Sequence, residues 1–166
     1  MPVRLATSLA CAALLTTLVS TVSSHRTIAQ VPGDEVTADQ LRTAIDTLGS
    51  LEFPVRTAAA RTVRRAPAAT AVPALVRAVS SHKDEYVRFR ALVILSGFND
   101  QRTRDLVLKA IADRNDRLRA VGYSWIEYHP DPALVPRLLQ ALDREESEFV
   151  RPALTRALAV YSADLK

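Results

Sequence analysis

Apolar residues recur along this chain on two scales, one of a helical turn and one of a little over thirty residues. Val55, Ala59 and Val63 stand four residues apart, and the same set returns as Val87, Ala91 and Leu95, as Leu118, Gly122 and Ile126, and as Val150, Leu154 and Leu158. Steps of four keep side chains on one face of a helix. In each copy an arginine follows the first apolar residue, at Arg56, Arg88, Arg119 and Arg151, with intervals of 32, 31 and 32 residues. A fixed interval of this length marks an internal repeat, whose units must stack to bury their faces.

Behind each of the first three copies lies a break and then a second apolar pattern. The breaks are Ala66-Pro67, Gly97-Phe98-Asn99-Asp100 and His129-Pro130-Asp131-Pro132. Proline and glycine punctuate helices in this way. The second pattern holds Leu75, Val107 and Leu138 in one column, Val76, Leu108 and Leu139 in the next, and Val79, Ile111 and Leu142 a turn later. Pro73 and Pro136 share a column where a helix start is expected, since a helix's first residues have no use for the missing N–H. Ahead of the repeats, Thr37 or Asp39 starts a lead-in helix with Leu41, Ala44, Ile45 and Leu48 on one face, ended at Gly49-Ser50.

An acid stands three residues before the last three arginines: Glu85, Asp116 and Glu148. This spacing predicts a cap for each helix start and an ion pair across one turn. The arginine column is expected to tie successive repeats together. Exposed pairs of this kind contribute little each, so stacking of apolar faces must carry stability.

The units resemble HEAT repeats, in particular the short HEAT-like repeats associated with phycobiliprotein lyases. The resemblance rests on Val55-Arg56 with Ala59-Ala60, Ala71-Val72-Pro73-Ala74-Leu75, Asp84-Glu85-Tyr86-Val87-Arg88, Leu134-Val135-Pro136-Arg137-Leu138-Leu139 and Glu148-Phe149-Val150-Arg151. It covers about residues 37–163 and implies an all-α fold, an α-solenoid of stacked antiparallel helix pairs forming a right-handed superhelix, commonly a protein-binding scaffold. The third unit departs from it with Gly122, Tyr123 and Trp125. The chain reaches one helix into a fourth unit, whose polar residues are expected to cap the stack.

Composition refines this picture. Aromatic residues make up 5% of the chain and there are four glycines, which disfavours a turn-rich β protein or a glycine-rich phosphate loop. The net charge of +4 falls to +2 once residues 1–30 are set aside, because they hold Arg4 and Arg26 and no acid. One local basic stretch remains around Arg56, Arg61, Arg64 and Arg65, without an overall nucleic-acid signature.

Residues 1–29 read as a secretory signal peptide: Arg4 precedes an uncharged run from Leu5 to Ser24, and Thr27-Ile28-Ala29 suits cleavage before Gln30. An uncleaved signal anchor and a start codon set too early are the alternatives. Residues 30–36 form a linker and residues 37–163 the repeat domain. Export to the periplasm or cell exterior is the expectation, with membrane attachment only through an uncleaved leader. Cys11, the one cysteine, lies in that leader, so the mature chain has no thiol chemistry.

Catalytic patterns are missing from the sequence. His25, His82 and His129 lie far apart, and neither a His-Glu pair nor a close His-His spacing suggests a metal site. No catalytic, cofactor or metal residue is assigned, and nucleic acid is disfavoured as a partner. The expected function is a non-catalytic protein-interaction scaffold with an unidentified protein partner. Its alternative, implied by the resemblance, is a bilin-lyase-like or nucleic-acid-processing enzyme. The candidate partner-binding residues are the basic set Arg61, Arg64 and Arg65 and the aromatic set Tyr123, Trp125 and Tyr128.

Overall fold

The computed structural model describes residues 35–162. The chain divides into two units between Val31 and Pro32, and every described residue belongs to the second. The expected leader and most of the linker lie outside the described residues.

Eight α-helices, with two short 3-10 turns, make up the described residues: α1 (Ala38–Thr47), α2 (Phe53–Arg65), α3 (Ala68–Ser81), α4 (Glu85–Leu95), α5 (Arg102–Ala110), α6 (Asp116–Tyr128), α7 (Val135–Arg144) and α8 (Arg151–Ser162). They form two layers. Helices α2, α4, α6 and α8 adjoin one another in sequence along one layer, while α1, α3 and α5 pack successively in the other. Each pair contributes one helix to each layer, giving the stacked antiparallel pairs expected from the repeat.

Helix α1 is more than a lead-in. Leu41, Ala44, Ile45 and Leu48 precede Val72, Leu75, Val76 and Val79 by 31 residues each, so α1 carries the second-helix pattern. It packs on both α2 and α3 and occupies the second-helix place in the layer. Its start is a capping box, with Thr37 Oγ1 accepting from Gln40 N and Gln40 Oε1 from Thr37 N.

The predicted core columns are buried in the middle of the stack and open at its ends. Val63, Leu75, Val87, Ala91, Leu95, Val107, Ile126, Leu138 and Leu154 have no exposed surface. Val55, by contrast, is 40% exposed, and Leu139 is 51% exposed. Among the described residues no first-layer helix precedes α2 and no second-layer helix follows α7, so these two columns lack the neighbour that covers them elsewhere. The outward side of α8 carries Arg151, Thr155, Ala159 and Ser162, a largely polar face.

Pro73 departs from expectation. It sits inside α3, which begins at Ala68, and not at a helix start. The carbonyl of Ala69 therefore loses the partner it would have in a regular turn. Pro136 does occupy the first turn of α7.

The arginine column seals the joints between units. Arg56 Nη1 donates to Ser50 O and Leu51 O at 2.8 and 3.1 Å, and Arg119 Nη1 donates to Asp113 O and Arg114 O at 2.9 and 3.1 Å. Arg151 Nη1 repeats the contact with Glu145 O at 2.6 Å. In all three the carbonyl six residues back is taken. Arg88 reaches Glu85 at 3.2 Å and Asp113 at 3.9 Å instead. At its joint His82 does the bridging: Asp84 N donates to His82 Nδ1 at 3.0 Å, and Nε2 lies 3.3 Å from Asp46 Oδ1 on α1.

Of the three acids that precede the arginines, Glu85 and Asp116 make the predicted ion pair and Glu148 does not. Glu85 accepts from Arg88, Arg114 and Asn115, and Asp116 accepts from Arg119 and Ser147. Arg151 turns to the carbonyls of Leu142 and Glu145, in and just after α7, in place of Glu148. The cap positions proper fall to Asp84 and Asn115, whose side chains accept from Tyr86 N and Arg117 N.

Candidate docking groove

A groove of about 650 Å³ runs over the first-helix layer, with α6 as its floor and α4 and α8 as its walls. It exists because one turn of the third repeat is built from small residues. The column after each arginine reads Phe89, Ala120 and Pro152 along α4, α6 and α8, and the column a turn later reads Val93, Ser124 and Arg156. Ala120 and Ser124 thus lie between larger neighbours on both sides. Small residues are also what bring α5 against α6 from below. A Cβ on Gly122 would come within 2.6 Å of Ile111 Cγ2 and 3.4 Å of Val107 O.

Aromatic side chains close the two ends. Phe149, at the start of the α8 wall, is 64% exposed, and Tyr128, at the end of α6, is 77% exposed. Trp125 is half-buried and stacks on His129 with ring centres 4.0 Å apart and planes within 7°. His129 Nδ1 lies 2.9 Å from Trp125 O and donates to that carbonyl. The stack fixes both rings at the lip without removing them from solvent.

The charged side chains that line the groove are basic, with Glu127 just outside it beside Arg156. Arg117 and Arg156 line it together with His129, and none of its lining residues is a carboxylate. The Arg117 guanidinium lies 5.8 Å from the Tyr86 ring centre. Arg156 Nε donates to Glu127 Oε2 at 3.2 Å. Beside them Arg90 lies over Tyr86 at 4.7 Å and bonds its hydroxyl at 2.7 Å, which pulls the Tyr86 hydroxyl below its ordinary pKa.

The six candidate residues separate into three places. Trp125 and Tyr128 line the groove. Tyr123, assigned with them, belongs to the core: it is 1% exposed and its hydroxyl donates to Ile111 O at 3.3 Å. Burial pushes its pKa up. The reason is the helix turn, because residues two apart on α6 face opposite ways. Arg61, Arg64 and Arg65 are exposed on α2 and are not part of this groove; Arg65 lines a separate hollow between α1 and α2. The sequence reading missed Phe89, Val93 and Phe149. The available signal was the pair of columns in which α6 alone is small.

Glu145, at the end of α7, is a buried bridge. It is 8% exposed, accepts from Arg119 Nε at 2.8 Å and Nη2 at 2.9 Å, and also accepts from Ser147 N. Among the described residues no group of three or more His, Cys, Asp or Glu side chains gathers to hold a metal. No described helix is long and apolar enough to cross a membrane.

An all-helical stack of two-helix units, held at their joints by Arg56, His82, Arg119 and Arg151, defines an α-solenoid. A family model described as HEAT repeats matches residues 41–124, and the chain belongs to the HEAT-repeat family. The match runs from α1 into α6, and the same helix order continues through α8. No curated protein gives a significant match to the chain.

Proposed function

We propose that this chain is a non-catalytic protein-interaction scaffold, and that the groove over α4, α6 and α8 is where it docks a partner. The observation that carries this reading is the groove's make-up. Two largely exposed aromatics, Tyr128 and Phe149, flank a floor of small residues on a frame whose middle core columns are closed. Aromatic anchors beside a recess are the usual energetic centre of a protein interface. Stacked repeats supply the rigid support.

The test is a recess-filling variant, Ala120→Leu with Ser124→Leu, compared with the native chain as bait in its own host. Reproducible partners held by the native chain and lost by the filled one are the expected result. An identical set of partners on both baits would remove the groove from the proposal. Export of the mature chain is part of the same reading, and is checked by cell fractionation with sequencing of the mature N-terminus; an intact start in the cytoplasm would end it.

A further inference from the structure

We infer that the groove takes an acidic segment of another protein, one that seats an apolar anchor over Ala120 and Ser124 and sets carboxylates beside Arg117 and Arg156. This rests on the scaffold reading and names the chemistry of its partner.

Three observations lead to it. The groove lining holds two arginines and a histidine and no carboxylate, whereas the hollow between α1 and α2 includes Glu35 and Asp39 and the one between α1 and α3 includes Asp46. The groove's arginines also retain bonding capacity. Arg117 makes no ion pair among the described residues, and the bond from Arg156 to Glu127 uses Nε, leaving both terminal nitrogens without a hydrogen bond. Arg119, in the column beside them, differs: its Nε, Nη1 and Nη2 all donate to Glu145, Asp116 and the carbonyls of Asp113 and Arg114.

The physical consequence follows from the walls. A guanidinium presents a planar fork that grips a carboxylate with two bonds. Next to an apolar surface such a bond is weakened less by water than one in the open. A basic segment would meet repulsion at both arginines, so charge selects the partner while the recess supplies the anchor. From Arg117 to His129 the floor of α6 rises about 18 Å, enough for five or six extended residues.

Trp125 is the chain's one tryptophan, so its fluorescence reads the groove directly. The experiment titrates the full chain with three synthetic 12-residue peptides that share a Leu/Phe anchor and carry Glu, Ser or Lys flanks. The expected result is binding of the Glu-flanked peptide about 10-fold tighter than the Ser-flanked one, weakening with salt, and little response to the Lys-flanked one. Arg117→Glu with Arg156→Glu is expected to reverse the order, and Arg117→Gln with Arg156→Gln to level it. Both arginines are surface residues, and unchanged circular dichroism melts confirm folding of the variants. Equal binding of all three peptides, preference for Lys flanks, or no binding of any peptide would overturn the inference. The scaffold reading stands or falls separately, on partner capture by the recess-filled variant.

Discussion

Arg119 and Glu145 meet through two parallel hydrogen bonds, 2.8 and 2.9 Å long, and join the third unit to the loop that opens the fourth. The carboxylate side chain is 6% exposed and the guanidinium 16%, so water screens this pair far less than it screens the surface pairs. Arg119 also holds Asp113 O, Arg114 O and Asp116, which makes one side chain the common fastener of α6 and the loops on either side.

The pair makes stability depend on acid. Hydrogen bonding from Arg119 holds the Glu145 carboxyl below its ordinary value of 4.5, with burial opposing. The unfolded chain therefore takes up this proton more readily, so the stabilisation is full above about pH 4.5 and is lost as pH falls through the lower folded value. Glu85, Asp116 and Asp131 shift the same way, and Asp100 falls to about 2 beside Arg102. Glu145→Gln is expected to cost about 1–2 kcal/mol near neutral pH. In thermal melts, its deficit against the native chain should shrink between pH 5 and 3; a deficit independent of pH would contradict this.

At Gly122 the end of α5 comes close to α6, with no room for a Cβ beside Ile111. Gly122→Leu would drive a side chain into Ile111 and is expected to destabilise by about 1–3 kcal/mol, although leucine is the better helix former. Pairing it with Ile111→Ala should cost less than the sum of the two single changes. Urea unfolding of the four proteins measures that coupling, and strict additivity would show that the contact is not shared.

Asn99 closes the end of the turn after α4 at φ 51°, in the left-handed region. Asn99→Gly is expected to leave stability within a few tenths of a kcal/mol, whereas Asn99→Val should lose about 1–2 kcal/mol through its branched Cβ. Equal midpoints in denaturant for the two variants would argue against a fixed left-handed residue there.

Tyr123 and Tyr128 lie five residues apart with opposite roles. Tyr123→Ala is expected to lose about 3–5 kcal/mol and Tyr128→Ala less than about 0.5. Melting temperatures distinguish them, and matching losses would mean that the core and surface assignments are mistaken.

The frame of this protein is readable from its sequence because each buried column repeats the same apolar type at the same interval. Where a column loses a neighbour, the residue stays apolar while its surroundings change, and so Val55 and Leu139 look identical to Val87 and Val76 in sequence yet are exposed. Glu145 was unreadable for a related reason: its partner, Arg119, lies 26 residues away across a joint. The aromatic half of the groove was visible in Trp125 and Tyr128. Its floor was not, because Ala120 and Ser124 are ordinary helix residues until Phe89, Val93 and Pro152 are seen beside them.

The arginine seals also govern where the chain can change length. Arg56, Arg119 and Arg151 each take the carbonyl six residues back, so a residue added within those six would pull the guanidinium off its acceptor. The shorter second unit obeys this rule. Its missing residue falls between Ile111 and Asp113, at the end of α5, ahead of the sealed segment. Changes of length are therefore expected at the ends of second helices and in the breaks inside each unit. The fold has one edge held to a fixed chain length and another left open to elaboration.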